Sequence, residues 1–167
     1  MSFIKCHEKL VLGGFPILAG ECVFYNKKML LLKLNKKGNH DHGLWGPPSG
    51  HGEEGETPLQ TATRETKEET NLDPKILGVV QAGILSISDG RKFLTVVYSS
   101  IVKDMSKLKI DLNEVSDYVW VELKDIESGK YQIRSESFLK PVLIKAFKGK
   151  PYSLDCFADY CYNIKRG

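Results

Sequence analysis

No stretch of this chain runs unbroken through the about 18 apolar residues that a membrane-spanning helix needs. The opening residues, MSFIKCHEKL, lack the apolar core of a secretory leader. The four cysteines (Cys6, Cys22, Cys156 and Cys161) form no C-x-x-C pair, and the last two have no histidine after them, which argues against zinc. Scattered thiols of this kind read as reduced, and the expected location is the cytoplasm. There is no internal repeat and no dense basic cluster. A net charge of +3 is too small to point to nucleic acid or to a membrane surface. What remains is an ordinary globular composition, 41% hydrophobic and 27% charged, which suits one domain over residues 1–167.

Ile17 to Tyr25 and Met29 to Leu34 are apolar runs joined by Asn26, Lys27 and Lys28, a strand–turn–strand pattern. The segment from Asn35 to Gly52 is thick with glycine, proline, histidine and asparagine and reads as loop. Ile76 to Ser88 reads as a strand, with Gly78 and Gly83 marking bulges or bends. Asp89-Gly90 is a hairpin turn signal, and Phe93 to Val102 is the returning strand. Tyr118 to Glu122 is another short strand. Leu139, Val142, Leu143, Ala146 and Phe147 recur at helical spacing, with Pro141 expected in that helix's first turn. The aromatic segment from Pro151 reads equally as a last helix or a docking segment. Strands, one internal helix, more strands and a closing helix make a mixed sheet flanked by helices, of α/β or α+β type.

The internal helix carries the chemistry. Thr57 is a good N-cap, Pro58 suits the first helical position, Gln60 completes a capping box, and Asn71 tolerates the left-handed C-terminal cap. At 100° per residue, Glu65, Glu68 and Glu69 leave one face, and Leu59, Ala62, Thr66 and Thr70 form the adjacent stripe. Between Glu53 and Glu69 there are six acids against Arg64 and Lys67. Exposed repulsion within a helix costs only a few tenths of a kcal/mol, so solvent could carry it. A hard divalent cation with oxygen ligands is the other solution. The preceding glycines would let bare backbone approach a ligand.

Gly50, five residues, Glu56, seven residues, Arg64-Glu65, two residues, Glu68-Glu69: this pattern resembles the Nudix box. At ~6–7% for each residue type, it arises by chance on the order of 10⁻⁵ times in such a chain. The box covers 23 residues, Gly50 to Leu72. The flanking LWGPPSG and DYVWVEL resemble the family more loosely. Two positions depart: an aliphatic position holds Thr66 and a glycine position holds Asn71. The resemblance implies an α/β/α sandwich around a mixed sheet. It implies Mg²⁺- or Mn²⁺-dependent hydrolysis of a nucleoside diphosphate linked to another group. It implies Glu65, Glu68, Glu69 and the Gly50 carbonyl as metal ligands, Arg64 orienting the glutamates, and Glu56 pairing with Arg64. A further acid beyond the box often completes such sites; Glu114 is the first candidate and Asp117 the second.

A nucleoside triphosphate is the expected substrate, going to monophosphate and pyrophosphate. ADP-ribose, another nucleotide sugar, or a nucleotide-binding module that does not cleave are the alternatives. The proline or tyrosine that marks ADP-ribose and dinucleoside polyphosphate subfamilies is missing from Ala82 to Asp89, AGILSISD. Trp45 and Tyr98 are candidates for stacking on the base, with loop anchoring and core packing as the respective rival readings. Phe15, Phe24 and Trp120 read as core. His40, His42 and His51 read as a polar loop, and Lys33, Lys36 and Lys37 as solvated. A small nucleotide is the expected partner, no membrane is expected, and a homodimer stays open.

Overall fold

Asn26 and Lys27, both with positive φ (47° and 64°), turn the chain between its first two strands. These are β1 (Ile17–Tyr25) and β2 (Lys28–Leu34). Two left-handed residues in succession match the twist of a tight hairpin. Lys28 therefore belongs to β2 and pairs with Tyr25, and the turn is one residue shorter than the sequence suggests. The computed structural model describes residues 15–35, 41–87 and 89–154. Cys6, Cys156, Cys161, His40, Lys36, Lys37, Ser88 and the segment after Leu154 lie outside the described residues.

The remaining elements are β3 (Trp45–Gly46), β4 (Ser49–His51), α1 (Pro58–Thr70), β5 (Lys75–Ser86), β6 (Lys92–Ile101), β7 (Val115–Val121), α2 (Leu123–Glu127) and α3 (Glu136–Lys148). The sheet runs β3-β2-β1-β6-β5, with β4 added beside β1 and β7 beside β2. β1 and β6 are parallel; the other pairs are antiparallel. β1 reads as a nearly continuous apolar run because helices cover both of its faces. On one face Ile17, Ala19, Val79 and Val96 pack against Ala62 of α1. On the other, Cys22, Met29, Leu31 and Val97 pack against Leu139, Val142 and Leu143 of α3. The result is the expected α/β/α sandwich with a mixed sheet.

Four local expectations change. Gly78 does sit at a register shift of β5, but Gly83 pairs regularly with Thr95. β7 begins at Val115, three residues before the expected Tyr118. Pro141 lies in the second turn of α3 rather than the first, so the Ser137 carbonyl has no amide donor one turn on. The helix continues because Leu139, Val142 and Leu143, on either side of the proline, are buried. Of the C-terminal segment, Tyr152 docks in a two-way backbone exchange with Val79 of β5 (2.9 and 2.8 Å). Phe24 packs edge-on against Phe147, while Phe15 is exposed.

One side chain breaks the apolar layer under α1. Glu21 is 0% exposed, and neither of its carboxyl oxygens completes a hydrogen bond among the described residues. Burial raises its pKa from 4.5 to about 7, partly offset by the neighbouring Ser100 and Thr66 hydroxyls. Thr66 is the residue that stands where the box pattern has an aliphatic one. An acid whose pKa is raised on folding binds its proton more tightly in the native state, so stability falls as pH rises from about 4.5 to about 7. We expect Glu21→Gln, which has no charge to bury, to gain on the wild type by roughly 3 kcal/mol across that window and to hold the gain above it. Urea unfolding of both proteins at a series of pH values checks this; parallel stability curves would refute it.

Candidate functional site

α1 begins as its sequence dictates. The Thr57 hydroxyl accepts the Gln60 amide, the Gln60 side chain returns to the Thr57 amide, and Pro58 opens the first turn. Asn71 ends the helix in the left-handed conformation, φ 57°. These two ends fix which way residues 64 to 69 face.

Arg64 is the hub of that face. Its Nε and Nη2 grip Glu56 at 2.7 and 3.0 Å, its Nη1 donates to Glu65 at 2.9 Å and Glu68 at 3.0 Å, and Nη2 also donates to the His51 carbonyl at 2.9 Å. Glu56 further accepts the Glu53 amide and the Thr61 hydroxyl. The guanidinium holds the Glu56 carboxyl at about 2, well below its ordinary 4.5. Glu65 behaves oppositely. Burial raises its pKa; Arg64 opposes the shift, while Glu68 and Glu114 add to it. Its carboxylate lies where a Cβ on residue 50 would stand, so any side chain there would displace the Glu65 carboxylate.

Glu69 is 3% exposed and accepts the Ser49 amide at 3.0 Å. Burial pushes its pKa to about 7, against the pull of Arg134 and the Ser49 amide, with Glu65 and Glu114 adding to the rise. Glu114 is half-buried at the entry to β7, held there by its backbone contacts to Asp111 and Asn35. Asp117 instead accepts the Tyr118 amide on an exposed part of β7. The structure thus brings Gly50, Glu56, Arg64, Glu65, Glu68, Glu69 and Glu114 into one neighbourhood and leaves Asp117 outside it.

Beside this cluster lies a cavity of about 310 Å³. Ser49, Gly50 and His51 of β4 line it, as do Leu18, Phe93 and Phe138. The same short strand therefore touches the glutamates and walls the cavity. His51 meets Phe93 edge-on at 5.5 Å and so belongs to the cavity wall, not merely to a polar loop.

Neither stacking candidate reaches this cavity. Tyr98 is 4% exposed in the layer between the sheet and α1, because it shares a strand face with Val96, whereas the cavity is lined by Thr95 and Val97 of the opposite face. Of its two readings, stacking on a base and core packing, the structure places it in the core. Trp45 packs edge-on against Tyr131 at 5.3 Å, with Lys33 over its ring, and anchors the loop.

Arg134 is the residue that sequence reasoning missed. The segment around Ile133 pairs in parallel with Trp45 through two backbone hydrogen bonds of 2.9 Å. That pairing sends the Arg134 side chain across Gly46, where a Cβ would collide with it. Arg134 donates to the Pro47 carbonyl at 2.9 Å and to the Ser49 hydroxyl. It thereby steadies the residue whose amide holds Glu69. Nothing in its local sequence announces this, since its partners lie 85 and 87 residues away.

The Glu56–Arg64 pair sets a stability signature opposite to that of Glu21. A carboxyl held at about 2 adds stability that is complete above 4.5 and is lost as pH falls toward 2. We expect Glu56→Gln to cost roughly 1–3 kcal/mol at neutral pH and nothing near pH 2, read from chemical unfolding at both ends. An equal cost at both ends would show that the pair's charge is not the source.

Comparison with known proteins agrees with this geometry. The chain is 34% identical over 102 residues to a bis(5'-nucleosyl)-tetraphosphatase (asymmetrical) of Mus musculus, covering 59% of this chain and 66% of that one. A Mycobacterium tuberculosis protein provisionally named an 8-oxo-dGTP diphosphatase is 30% identical over 103 residues, 58% of this chain and 46% of its own. The matches span 34% to 66% of such relatives' lengths. In fold, a Nudix hydrolase from Nitrosomonas europaea superposes with a TM-score of 0.72 at 21% identity, over 88% of this chain and 98% of that one. The NUDIX domain model matches residues 18–141, and the chain belongs to the Nudix hydrolase family.

Proposed function

We propose that this hydrolase cleaves a nucleoside diphosphate linked to another group, and that its substrate is a nucleoside or deoxynucleoside triphosphate, released as monophosphate and pyrophosphate. The observation that carries the reading is the sharing of β4 between the glutamate cluster and the 310 Å³ cavity. A nucleoside in the cavity would present its phosphates to the glutamates.

The donor set fits a hard divalent cation. Every donor is an oxygen, burial raises the pKa values of Glu65 and Glu69, and repulsion from Glu114 adds to each rise. Among the described residues no three acidic, histidine or cysteine side chains converge as an ion cage in this arrangement, so the fit is one of donor chemistry. Glu65, Glu68, Glu69, Glu114 and the Gly50 carbonyl would hold Mg²⁺ or Mn²⁺. Such an ion, when bound, supplies charge neutralisation at the phosphates and a more acidic water. Arg64 and Glu56 keep the glutamates in register through the hydrogen bonds described above. A glutamate oxygen not engaged otherwise accepts the proton of the attacking water as the phosphoanhydride bond opens. The apolar cavity walls keep solvent from the nucleoside.

The cavity has room at the small end of the range for ligand sites, which favours one nucleoside over two. The absence of a tyrosine from Ala82 to Asp89 points the same way. A dinucleoside polyphosphate is the second reading, favoured by what the murine relative is named for.

The test is a Mg²⁺-dependent hydrolysis screen over triphosphates, ADP-ribose, nucleotide sugars and dinucleoside polyphosphates, with Glu69→Gln beside wild type. We expect pyrophosphate release from triphosphates and a loss of more than about 100-fold in kcat for the variant, with its fold intact by circular dichroism. Normal turnover in Glu69→Gln would refute the assigned role. Nucleotide binding without cleavage would identify a binding module instead.

A further inference from the structure

β5 is the last strand of its sheet, and its outer edge changes character along its length. In the first half the ladder is irregular, with register shifts between Ile76 and Gly78 and between Val79 and Gln81. There Tyr152 also exchanges two backbone hydrogen bonds with Val79. Bulges and docked segments of this kind keep an edge from pairing with another chain. From Gln81 to Ser86 the pairing with β6 is regular, and among the described residues no strand lies on the outer side. No charged residue and no proline occurs from Ile76 to Ser88, so the side-chain safeguards of an edge are missing too. Ala82, Gly83, Ile84 and Ser86 are exposed, Ile84 by 51%.

The direction of the backbone groups follows from β6. The Leu94 amide donates to the Pro16 carbonyl, on the β1 side of β6. Ile84 stands directly opposite Leu94 in the antiparallel ladder. The two therefore exchange no hydrogen bond, and Ile84 turns its own amide and carbonyl to the open edge. Alternation gives Ala82 and Ser86 the same direction. The phase agrees with Ile87, whose amide points inward to the Arg91 carbonyl. These outward residues lie symmetrically about Ile84. Because Tyr152 pairs antiparallel to β5, the chain beyond it runs toward Leu77 and away from this stretch.

We infer that Ala82–Ser86 is a self-association edge, on which a second copy of this chain lays the same strand antiparallel about a two-fold axis at Ile84. Ile84 then faces the partner's Ile84, and Ala82 faces the partner's Ser86. Each such pair sets outward amides and carbonyls against their counterparts and exchanges two hydrogen bonds. No like charges meet, since neither strand carries any. In this register the partner's Asp89 would fall at Val79, but the strand ends at Ser86 and so stops short of Tyr152. The two Ile84 side chains stand beside Leu94 on the α1 face and cover each other. On the opposite face Leu85 lines the cavity, and its neighbour across the axis is the partner's Gly83, which adds no side chain there. A two-fold pairing of this kind is closed and ends at two copies, with both cavities on one face of a continuous sheet.

Sedimentation velocity of the full chain over a concentration series reads the association. We expect a monomer–dimer equilibrium in the wild type. We expect Ile84→Lys and Ile84→Glu each to weaken it by at least about tenfold, because like charges then face each other and the apolar contact is lost. An equimolar mixture of the two variants is expected to recover dimer, since opposite charges then meet across the axis. Recovery also shows that both variants fold. A wild type that stays monomeric at every concentration would overturn the inference and leave residues 1–14 or 155–167 of the same chain as occupants of the edge. A dimer indifferent to both substitutions would overturn it by placing the interface elsewhere. A mixture no better associated than its components would remove the two-fold pairing at Ile84.

Discussion

Arg64 is asked to satisfy three carboxylates and a carbonyl with one guanidinium, and the rest of the site depends on its doing so. The planar fork donates in fixed directions, so its partners must come to it. Glu56 arrives from just before the helix, the His51 carbonyl from β4, and Glu65 and Glu68 from the same helical face. Lysine, a point charge, could neutralise one of these groups but could not fix the relative positions of four. The helix cap at Thr57, the bare backbone at Gly50 and the left-handed Asn71 all have their reason in that convergence.

Three glutamates show how far environment overrides chemical identity. Glu56 faces a guanidinium and stays charged in conditions where most carboxyls are not. Glu69 is buried, a nearby cation offsets only part of that burial, and its pKa lies near neutrality. Glu21 is buried without any cation among the causes of its shift. The first organises, the second belongs to the candidate reaction, and the third sits in the packing layer beneath the helix that carries the second. Position on β1, not acidity, separates Glu21 from the site.

What could be read in the sequence was what is local. The cap, the helix and the spacing of its acids all lie within 23 residues, where periodicity and propensity act directly. Position before the strand ranked Glu114 ahead of Asp117, but only three dimensions show that Asp117 lies on an exposed part of β7. Tyr98 stayed open between stacking and core packing, since alternation along a strand tells which residues share a face but not which face meets the cavity. Arg134 was invisible because no spacing rule connects a residue to a loop more than 80 positions earlier. Glu21 falls within what reads as an apolar run, and only the helix laid across β1 makes it buried.

That last kind of contact orders the site in time. The Arg64–Glu56 grip spans eight residues and closes a short loop, so it can form as soon as α1 does. The Arg134–Ser49 link spans 85 and needs the whole sheet in place, because the Ile133 segment must first align with Trp45. A chain emerging from the ribosome therefore assembles its glutamates early and acquires the support for Ser49 among its last native contacts. Until the segment before α3 docks, the carboxylates stand beside an unsupported loop, and maturation of the site is tied to completion of the fold.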